Sequence, residues 1–313
     1  MKSTIYIYYL LIITLTCSCT NDHFEATKKY SAAFSMNVNN NKVLVSGYVY
    51  TDNQWKAEYW VDSTNVDAVT YTSSLANGSI YNIPVDELSR KISVYKTLNG
   101  NQDIYKFDQG SLIDDGSVFY YKNNNMIKMD TTAIGTVTSV GFFNNNPIFS
   151  GYFGEITHNE AGESLSPKTP FLWNGDSLLI HLPLPEDATF QGINCVYFDS
   201  ENYYTGGLMN VPMYWKNTTP ITLSNLYGEV HQIIVSESDV YAVGFYNKSN
   251  SNSTGNTACY WKNEELFELE DNAQAYGIFI DGDDVYISGA TGNIPPQYKA
   301  CYWKNGVRVD LPD

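Results

Sequence analysis

A Tyr-Trp-Lys-Asn element recurs along the chain and constrains its fold more than any other feature. Three copies are complete and three upstream copies are weaker; their aromatic anchors are Trp60, Tyr121, Trp173, Trp215, Trp261 and Trp303. The anchors are therefore 61, 52, 42, 46 and 42 residues apart. Repeats of this length are typical of propellers and solenoids, because one unit cannot bury its own apolar face.

The last repeat indicates what each unit folds into. Residues 275–280 and 285–289 are rich in β-forming residues and are separated by the turn Asp281-Gly282-Asp283-Asp284. A third run ends at Lys304-Asn305-Gly306, and residues 307–311 alternate as a short fourth strand. Turn dipeptides between apolar runs are strong hairpin signals. Four antiparallel strands make a propeller blade, so we expect an all-β, six-bladed β-propeller of four-stranded antiparallel blades, with a β-solenoid as the alternative.

The second strand of most repeats ends in a glycine, and one repeat departs from this pattern. The glycines are Gly47, Gly151, Gly206, Gly244 and Gly289. The second repeat, with its second strand at 103–107, has no such glycine, and residues 72–90 read as an inserted loop. We therefore expect this repeat to be the irregular blade.

The first 19 residues have the pattern of an export signal. Lys2 precedes a mostly apolar run over residues 5–16, which is too short to span a membrane but fits a signal-peptide core. The run closes on Cys17-Ser18-Cys19, which resembles the lipobox of bacterial lipoproteins, although Thr16 stands where a branched aliphatic residue is usual. We expect lipidation at Cys19 and anchoring to the bacterial cell envelope at the outer membrane. Cys17, or an ordinary secretory signal, is the alternative, and the periplasmic or surface side stays open.

This division leaves a short tether at 20–29 and one propeller domain over 30–313. Three of the five cysteines lie in that domain, at Cys195, Cys259 and Cys301. Two of them precede their repeat's tryptophan by two residues, in a mostly apolar column. We therefore expect buried free thiols without disulfides.

Charge narrows the range of partners. The formal net charge is −16, with 18 basic and 34 acidic residues. Nucleic-acid binding requires a basic surface, so we expect no nucleic-acid partner. The acidic surface suits neutral polar ligands or cations.

The lengths of the loops suggest where a ligand would bind. Loops between the second and third strands vary in length, whereas the other hairpin turns are short, and variation on one face of a repeat scaffold commonly marks a binding face. The longest such loops are Glu155–Ser166 and Asn247–Thr257.

One column near the start of the innermost strand is expected at the mouth of the central channel on that face. It contains Phe34, Tyr95, Ser139, Asn194, His231 and Tyr276. We predict that Tyr95, Asn194, His231 and Tyr276 form a polar and aromatic rim that binds sugar rings and their hydroxyls. The competing interpretation is that these residues plug the channel or pack between blades, as we expect for the repeated tryptophans.

No catalytic motif is present in the sequence. The four histidines lack metal-ligand spacing, and there is no nucleophile elbow or phosphate-binding loop. The acidic turn at 281–284 lacks the spaced ligands of a calcium loop and reads as a solvated hairpin turn. We expect no cofactor, no metal site and no catalytic residue.

The repeat resembles the propeller repeats of bacterial surface lipoproteins, whose blades carry Val-Tyr-x-x-Gly and Tyr-Trp-Lys-Asn-Gly elements. The resemblance covers nearly all of the mature chain and implies a fold but no activity. Together these features predict a membrane-anchored binding propeller with a glycan or protein partner at the variable-loop face. A polysaccharide hydrolase or lyase acting in the channel is the alternative, and a scaffold of an envelope complex is the third. Oligomeric state stays open.

Overall fold

A computed structural model describes residues 30–312 apart from 52–53, 85–90, 108–117, 130–132, 160–161, 176, 187–188, 190–191, 250–254 and 293–296. The predicted signal peptide at 1–19, the lipidation residue Cys19 and the tether at 20–29 lie outside the described residues. Twenty-five strands and one helix are assigned in the described part of the chain.

The first two sheets occupy the N-terminal part. Blade I is built from β1 Tyr30–Asn39, β2 Lys42–Thr51, β3 Gln54–Val61 and β4 Thr64–Asn65. The helix α1, Ala68–Ser74, follows it. Blade II is built from β5 Ile80–Pro84, β6 Lys91–Lys96, β7 Gln102–Lys106, β8 Phe119–Lys122 and β9 Asn125–Lys128.

The remaining sheets have four strands each. Blade III contains β10 Gly135–Phe143, β11 Asn146–Asn159, β12 Gly162–Trp173 and β13 Leu178–His181. Blade IV contains β14 Gly192–Phe198, β15 Tyr203–Leu208, β16 Pro212–Lys216 and β17 Thr219–Thr222. Blade V contains β18 Gly228–Ser236, β19 Asp239–Asn247, β20 Asn256–Lys262 and β21 Glu265–Asp271. Blade VI contains β22 Ala273–Asp281, β23 Asp284–Thr291, β24 Lys299–Lys304 and β25 Val307–Asp310.

The six sheets form a closed ring. Within each sheet the strands pair antiparallel in chain order. The innermost strands of neighbouring blades contact one another, including β1 of blade I and β22 of blade VI, except between blades II and III, where β8 contacts β10. The predicted all-β, six-bladed propeller is therefore confirmed, with five strands rather than four in blade II.

Hydrogen bonds between the first and last blades close the ring. Ser31 N donates to the carbonyl oxygen of Tyr298 at 3.0 Å, and Ala300 N donates to Ser31 Oγ at 3.0 Å. The indole Nε1 of Trp60 donates to the carbonyl oxygen of Pro312 at 2.8 Å. Each of these two blades is formed by one continuous segment, so contacts between sheets, rather than a shared sheet, join the two ends of the ring.

The repeated tryptophans pack between blades, as predicted. Each lies against residues of the preceding blade, and each is at most 1% exposed: Trp60, Trp173, Trp215, Trp261 and Trp303. Burying such a ring removes a large apolar area from water. The tryptophan of the Tyr-Trp-Lys-Asn element therefore packs neighbouring blades together.

The lysine and asparagine of the element fasten the turn between the third and fourth strands. In blade VI the Asn305 side chain accepts from Val285 N at 2.8 Å and donates to Asp284 Oδ1 at 2.7 Å. Lys304 Nζ lies 2.7 Å from Asp284 Oδ2 and 4.9 Å from the ring centroid of Tyr286. Asn305 adopts a φ of 50°, which asparagine tolerates better than most residues.

Two segments predicted as loops are regular structure. Residues 72–90 include the end of α1 and the strand β5, while 85–90 lie outside the described residues. The expected loop Glu155–Ser166 is the end of a long hairpin in which β11 and β12 stay paired as far as Asn159 and Gly162. In both cases the strands are held by backbone pairing with a neighbouring strand, which the side-chain pattern of the sequence does not reveal.

Candidate functional site: the mouth of the central channel

The glycine that the sequence pattern placed at the end of the second strand lies within that strand, because the strand continues beyond it, and it faces a β-bulge in the innermost strand. Five blades carry one extra residue in that strand, at Phe34, Thr138, Asn194, His231 and Tyr276. The residue just before each bulge pairs with a glycine: Gly47, Gly151, Gly207, Gly244 and Gly289. β-bulges re-aim side chains and are frequent beside functional sites.

Only glycine fits opposite these bulges because the two backbones approach closely. A Cβ at Gly244 would lie 1.8 Å from the carbonyl oxygen of Glu229, and one at Gly289 would lie 2.2 Å from that of Gln274. No real side chain tolerates such distances. The repeated glycine is thus the sequence signal of the bulge.

Two positions of the sequence alignment shift by one residue. The bulge of blade III is at Thr138 rather than Ser139, and the glycine opposite the bulge of blade IV is Gly207 rather than Gly206. Ser139 nevertheless lines the channel. Because a bulge adds one residue to one strand only, an alignment made by counting residues is shifted by one position there.

Tyr95 does not reach the channel mouth. It lies on β6, the second strand of blade II, and is 6% exposed. Its ring stacks on Phe142 of blade III at 3.8 Å between centroids. The innermost strand of this blade is β5, whose Ile80 and Asn82 line the channel. The pairing of β5, β6 and β7 shows no register shift, in keeping with the missing glycine.

The other three predicted rim residues line one cavity. Asn194, His231 and Tyr276 surround a space of about 710 Å³ within the channel. At blades V and VI the cavity reaches the beginning of the innermost strands, on the variable-loop side. At blades III and IV it extends along the channel to Phe142 and Phe198, at the other ends of β10 and β14. Ligand sites of small molecules are commonly about 300–1,000 Å³.

An aromatic stack crosses three blades at this mouth. The Tyr276 ring stacks on His231, with centroids 4.9 Å apart, and on Phe34, with centroids 4.1 Å apart. Both faces of Tyr276 are therefore covered, so a sugar ring cannot stack on it. Burial raises the pKa of the Tyr276 hydroxyl well above its usual value. That hydroxyl stays protonated at neutral pH and donates to Gln274 Oε1 at 2.9 Å.

A polar chain links the inner strands of blades IV, V and VI. Asn194 Nδ2 donates to Glu229 Oε1 at 2.6 Å and to the carbonyl oxygen of Val230 at 2.9 Å. His231 Nδ1 lies 2.7 Å from the carbonyl oxygen of Ala275, which can only accept, so Nδ1 carries a proton. His231 Nε2 lies 3.5 Å from Glu229 Oε2. Glu229, which the sequence column missed, thus belongs to the site.

Trp55 is a second lining residue that the sequence interpretation missed. It begins blade I's third strand and contacts the rings of Tyr30, Tyr48 and Tyr50. Tyr298 of blade VI lines the same side of the cavity. The available signal was that Trp55 is the one tryptophan outside the repeated column.

Metal-binding and catalytic groups are not grouped in the described part of the chain. Within it, no three His, Cys, Asp or Glu side chains are placed to hold a metal ion. The acidic sequence Asp281-Gly282-Asp283-Asp284 is a hairpin turn, as predicted, with Asp284 bonded to Lys304 and Asn305. Among the lining residues that the structure describes, Glu229 is the only carboxylate.

The three cysteines of the domain are buried and free, as expected from their column. They are Cys195, Cys259 and Cys301. Burial raises the pKa of Cys259 well above the usual thiol value, and it also raises that of Cys301. Cys259 and Cys301 therefore lack the lowered pKa of a reactive thiol. Within the described residues, no helix is long and apolar enough to span a membrane.

The fold and the cavity define a six-bladed propeller with a space of about 710 Å³ in its central channel. No protein-family model and no curated protein sequence matches the chain. The fold is similar to that of an acylaminoacyl peptidase in complex with Z-Gly-Gly-Phe-chloromethyl ketone, at 9% identity and a TM-score of 0.46, over 91% of this chain and 52% of that one. The chain therefore spans about half the length of that peptidase.

Two further solved structures are similar over most of both chains. A mutant Aleuria aurantia lectin in complex with Fucα1-6GlcNAc matches at 10% identity and a TM-score of 0.43, over 88% of this chain and 92% of that one. The GH43_1 enzyme from Xanthomonas citri complexed with xylose matches at 9% identity and a TM-score of 0.32, over 91% of each chain. At these identities the likeness is one of fold alone.

Proposed function

We propose that the chain is a membrane-anchored extracytoplasmic binding propeller that holds a neutral glycan at the mouth of its channel. One observation carries the proposal: bulge residues of blades IV, V and VI direct Asn194, His231 and Tyr276 into a single cavity of about 710 Å³. The bulges therefore bring polar and aromatic side chains of three blades to the lining of one cavity, which supports a binding site there.

The chemistry of the lining suits hydroxyl groups. Asn194 and Gln274 are amides, Glu229 is a carboxylate and Tyr276 is a phenol, and all four face the cavity. Amides and phenols both donate and accept hydrogen bonds, as sugar hydroxyls do. Glu229 and the net charge of −16 disfavour an anionic ligand.

Binding is favoured over glycoside hydrolysis by the carboxylates of the site. Hydrolysis by the common mechanisms requires two carboxyl groups on either side of the scissile bond. The described lining supplies Glu229, which is bonded to Asn194 and faces His231. This environment holds the carboxylate in place as a hydrogen-bond acceptor.

A glycan array probed with the purified protein tests the proposal. We expect binding to neutral glycans, weakened about tenfold by Asn194→Ala or His231→Ala, since each removes a hydrogen-bonding group at the site. Asn146→Ala is the matched control, because Asn146 is exposed in the β10–β11 turn on the opposite face. Release of reducing ends would support the hydrolase instead. Capture of one fixed protein, unchanged by the rim substitutions, would support the scaffold.

The membrane anchor is a separate part of the proposal and rests on the sequence. The apolar run at 5–16 and the Cys17-Ser18-Cys19 end support lipidation at Cys19 and attachment to the outer membrane. A Cys19→Ser protein should leave the membrane fraction, whereas Cys17→Ser should stay in it. The reverse result would assign the lipid to Cys17, and retention of both variants would exclude anchoring through a single thiol.

A further inference from the structure

Trp55 is distinguished from every other tryptophan of the chain by its exposure. The chain has six tryptophans, and the five of the repeat are at most 1% exposed. Trp55 is partly exposed and lines the cavity. We infer that Trp55 is the stacking platform for a pyranose ring, an inference that rests on the glycan-binding function proposed above.

Neighbouring tyrosines hold the Trp55 ring in place. Its centroid lies 4.4 Å from that of Tyr48, 4.9 Å from that of Tyr50 and 5.3 Å from that of Tyr30. The interplanar angles are 71°, 57° and 79°, so none of the three rings lies parallel to the indole. A ring fixed in advance loses little side-chain entropy when a ligand arrives.

The other large rings of the mouth are engaged with one another. Tyr276 is sandwiched between His231 and Phe34, and Phe34 also lies 5.6 Å from Tyr48. These rings form a wall of the channel. Trp55 borders the cavity, is partly exposed, and has no parallel aromatic partner among the described residues.

Polar groups of blade VI complete the subsite. Gln274 Nε2 lies 3.5 Å from the hydroxyl oxygen of Tyr298, at the long limit of a hydrogen bond. Burial raises the pKa of Tyr298, so its hydroxyl stays protonated and can donate. Ligand hydroxyls can replace this weak contact and bond to both groups. Trp55 and Tyr298 belong to one aromatic cluster at the junction of blades I and VI.

The ligand class follows from this arrangement. A pyranose with mostly equatorial substituents offers an apolar C–H face to an aromatic ring and hydroxyls around its edge. The indole of blade I matches the face, and the amide and phenol of blade VI match the edge. The subsite therefore selects a neutral pyranose of this shape.

Acrylamide quenching of tryptophan fluorescence tests the inference directly, because Trp55 is the accessible tryptophan. Cellotriose, xylotriose and mannotriose are the probes. We expect the trisaccharide that binds to protect most of the quenchable fluorescence and its dissociation constant to rise about tenfold in Trp55→Ala. Trp55→Phe should retain most of the affinity, since it keeps an aromatic face. Phe267→Ala, at a partly exposed ring on β21, the outermost strand of blade V, is the matched control.

The possible failures are distinguishable. If a trisaccharide binds at wild-type affinity to Trp55→Ala, or leaves the quenching unchanged, the platform is elsewhere and the inference is wrong, while the proposed function stands. If neither the trisaccharides nor the glycan array gives binding, the proposed function fails and the inference fails with it. Thermal unfolding of each variant separates loss of binding from loss of fold. If Trp55→Ala does not fold, Trp55→Leu takes its place, because leucine fills apolar volume without an aromatic face and should weaken binding in the same way.

Discussion

The carbonyl oxygen of Glu229 occupies the place that a Cβ of residue 244 would need, 1.8 Å from its ideal position. Gly244 pairs with Val230, immediately before the bulge that turns His231 into the channel. The repeated glycine therefore permits the bulge that places a side chain of the candidate site in the channel.

Gly244→Ala should destabilise the fold and disrupt the site together. The added methyl group must displace the backbone of β18, at a cost of about 3 kcal/mol. Urea unfolding measures the loss, and ligand binding by the surviving folded fraction should weaken as His231 moves. Gly192→Ala is the control, because among the described residues its Cβ would meet nothing closer than Tyr152 Cε1 at 3.9 Å. Equal stability of the two variants would contradict this account of the bulge.

Ser31→Ala should weaken the closure of the ring. The Ser31 hydroxyl accepts from Ala300 N at 3.0 Å, and both residues are buried. Removing the acceptor leaves an amide without its bond, which costs about 1–3 kcal/mol. Urea unfolding measures the loss, with Ser238→Ala, in an exposed turn, as the control. If both variants unfold at the wild-type midpoint, this bond does not limit the stability of the ring.

The regular parts of the fold were predictable because they repeat. A tryptophan such as Trp303 appears at the same place in five units, so its packing role could be read from the sequence. The extra strand β5 could not, since Ile80–Pro84 occurs once and ends in a proline. Tyr95 was aligned to the innermost strand because β5 carried no signal of its own.

The site was only partly predictable for a related reason. Asn194, His231 and Tyr276 were found because the repeats align there, whereas Glu229 and Trp55 have no equivalent in that column. Trp55 and Tyr298 are far apart in the chain, and they belong to one cluster only after the ring closes. Aligning the repeats finds the positions that the blades share, whereas Glu229 and Trp55 line the cavity from positions that the blades do not share.

Acid should weaken the contacts between Asp284 and the Lys304-Asn305 turn. Hydrogen bonds from Lys304, and then from Asn305, lower the pKa of this carboxyl. A carboxyl whose pKa is lower in the folded state stabilises the fold above its unfolded pKa of about 4. That stabilisation is lost as the pH falls through the lower folded pKa.

Melting temperatures between about pH 5 and about pH 2 measure this effect. The wild-type value should fall with pH, and Asp284→Asn should remove part of the fall because it cannot titrate. Asp283→Asn changes an exposed aspartate of the same turn and serves as the control. A pH dependence identical in both variants would show that Asp284 does not couple folding to protonation.

The buried thiols should react only when the chain unfolds. Burial is the main reason that the pKa values of Cys259 and Cys301 are raised. Because the thiolate is the reactive species, the thiol reagent DTNB should label all three cysteines in concentrated guanidinium but leave Cys259 and Cys301 unlabelled in the folded protein. Rapid labelling of either of these two without denaturant would show local opening of its blade.

Two Tyr→Phe substitutions test whether a ligand binds beside Tyr276, which lines the cavity, or beside Tyr95, which the sequence column also predicted at the rim. The Tyr276 hydroxyl donates to Gln274 Oε1 at 2.9 Å and so orients an amide of the cavity. Tyr276→Phe frees that amide, and we expect the affinity for a bound trisaccharide to fall by a few-fold. Tyr95→Phe loses only a 3.4 Å contact with Asn145, away from the channel mouth, and should bind as the wild type does. Isothermal titration calorimetry of the two variants measures the difference. Weaker binding by Tyr95→Phe than by Tyr276→Phe would place the ligand at blade II, because each variant lacks the same single hydroxyl.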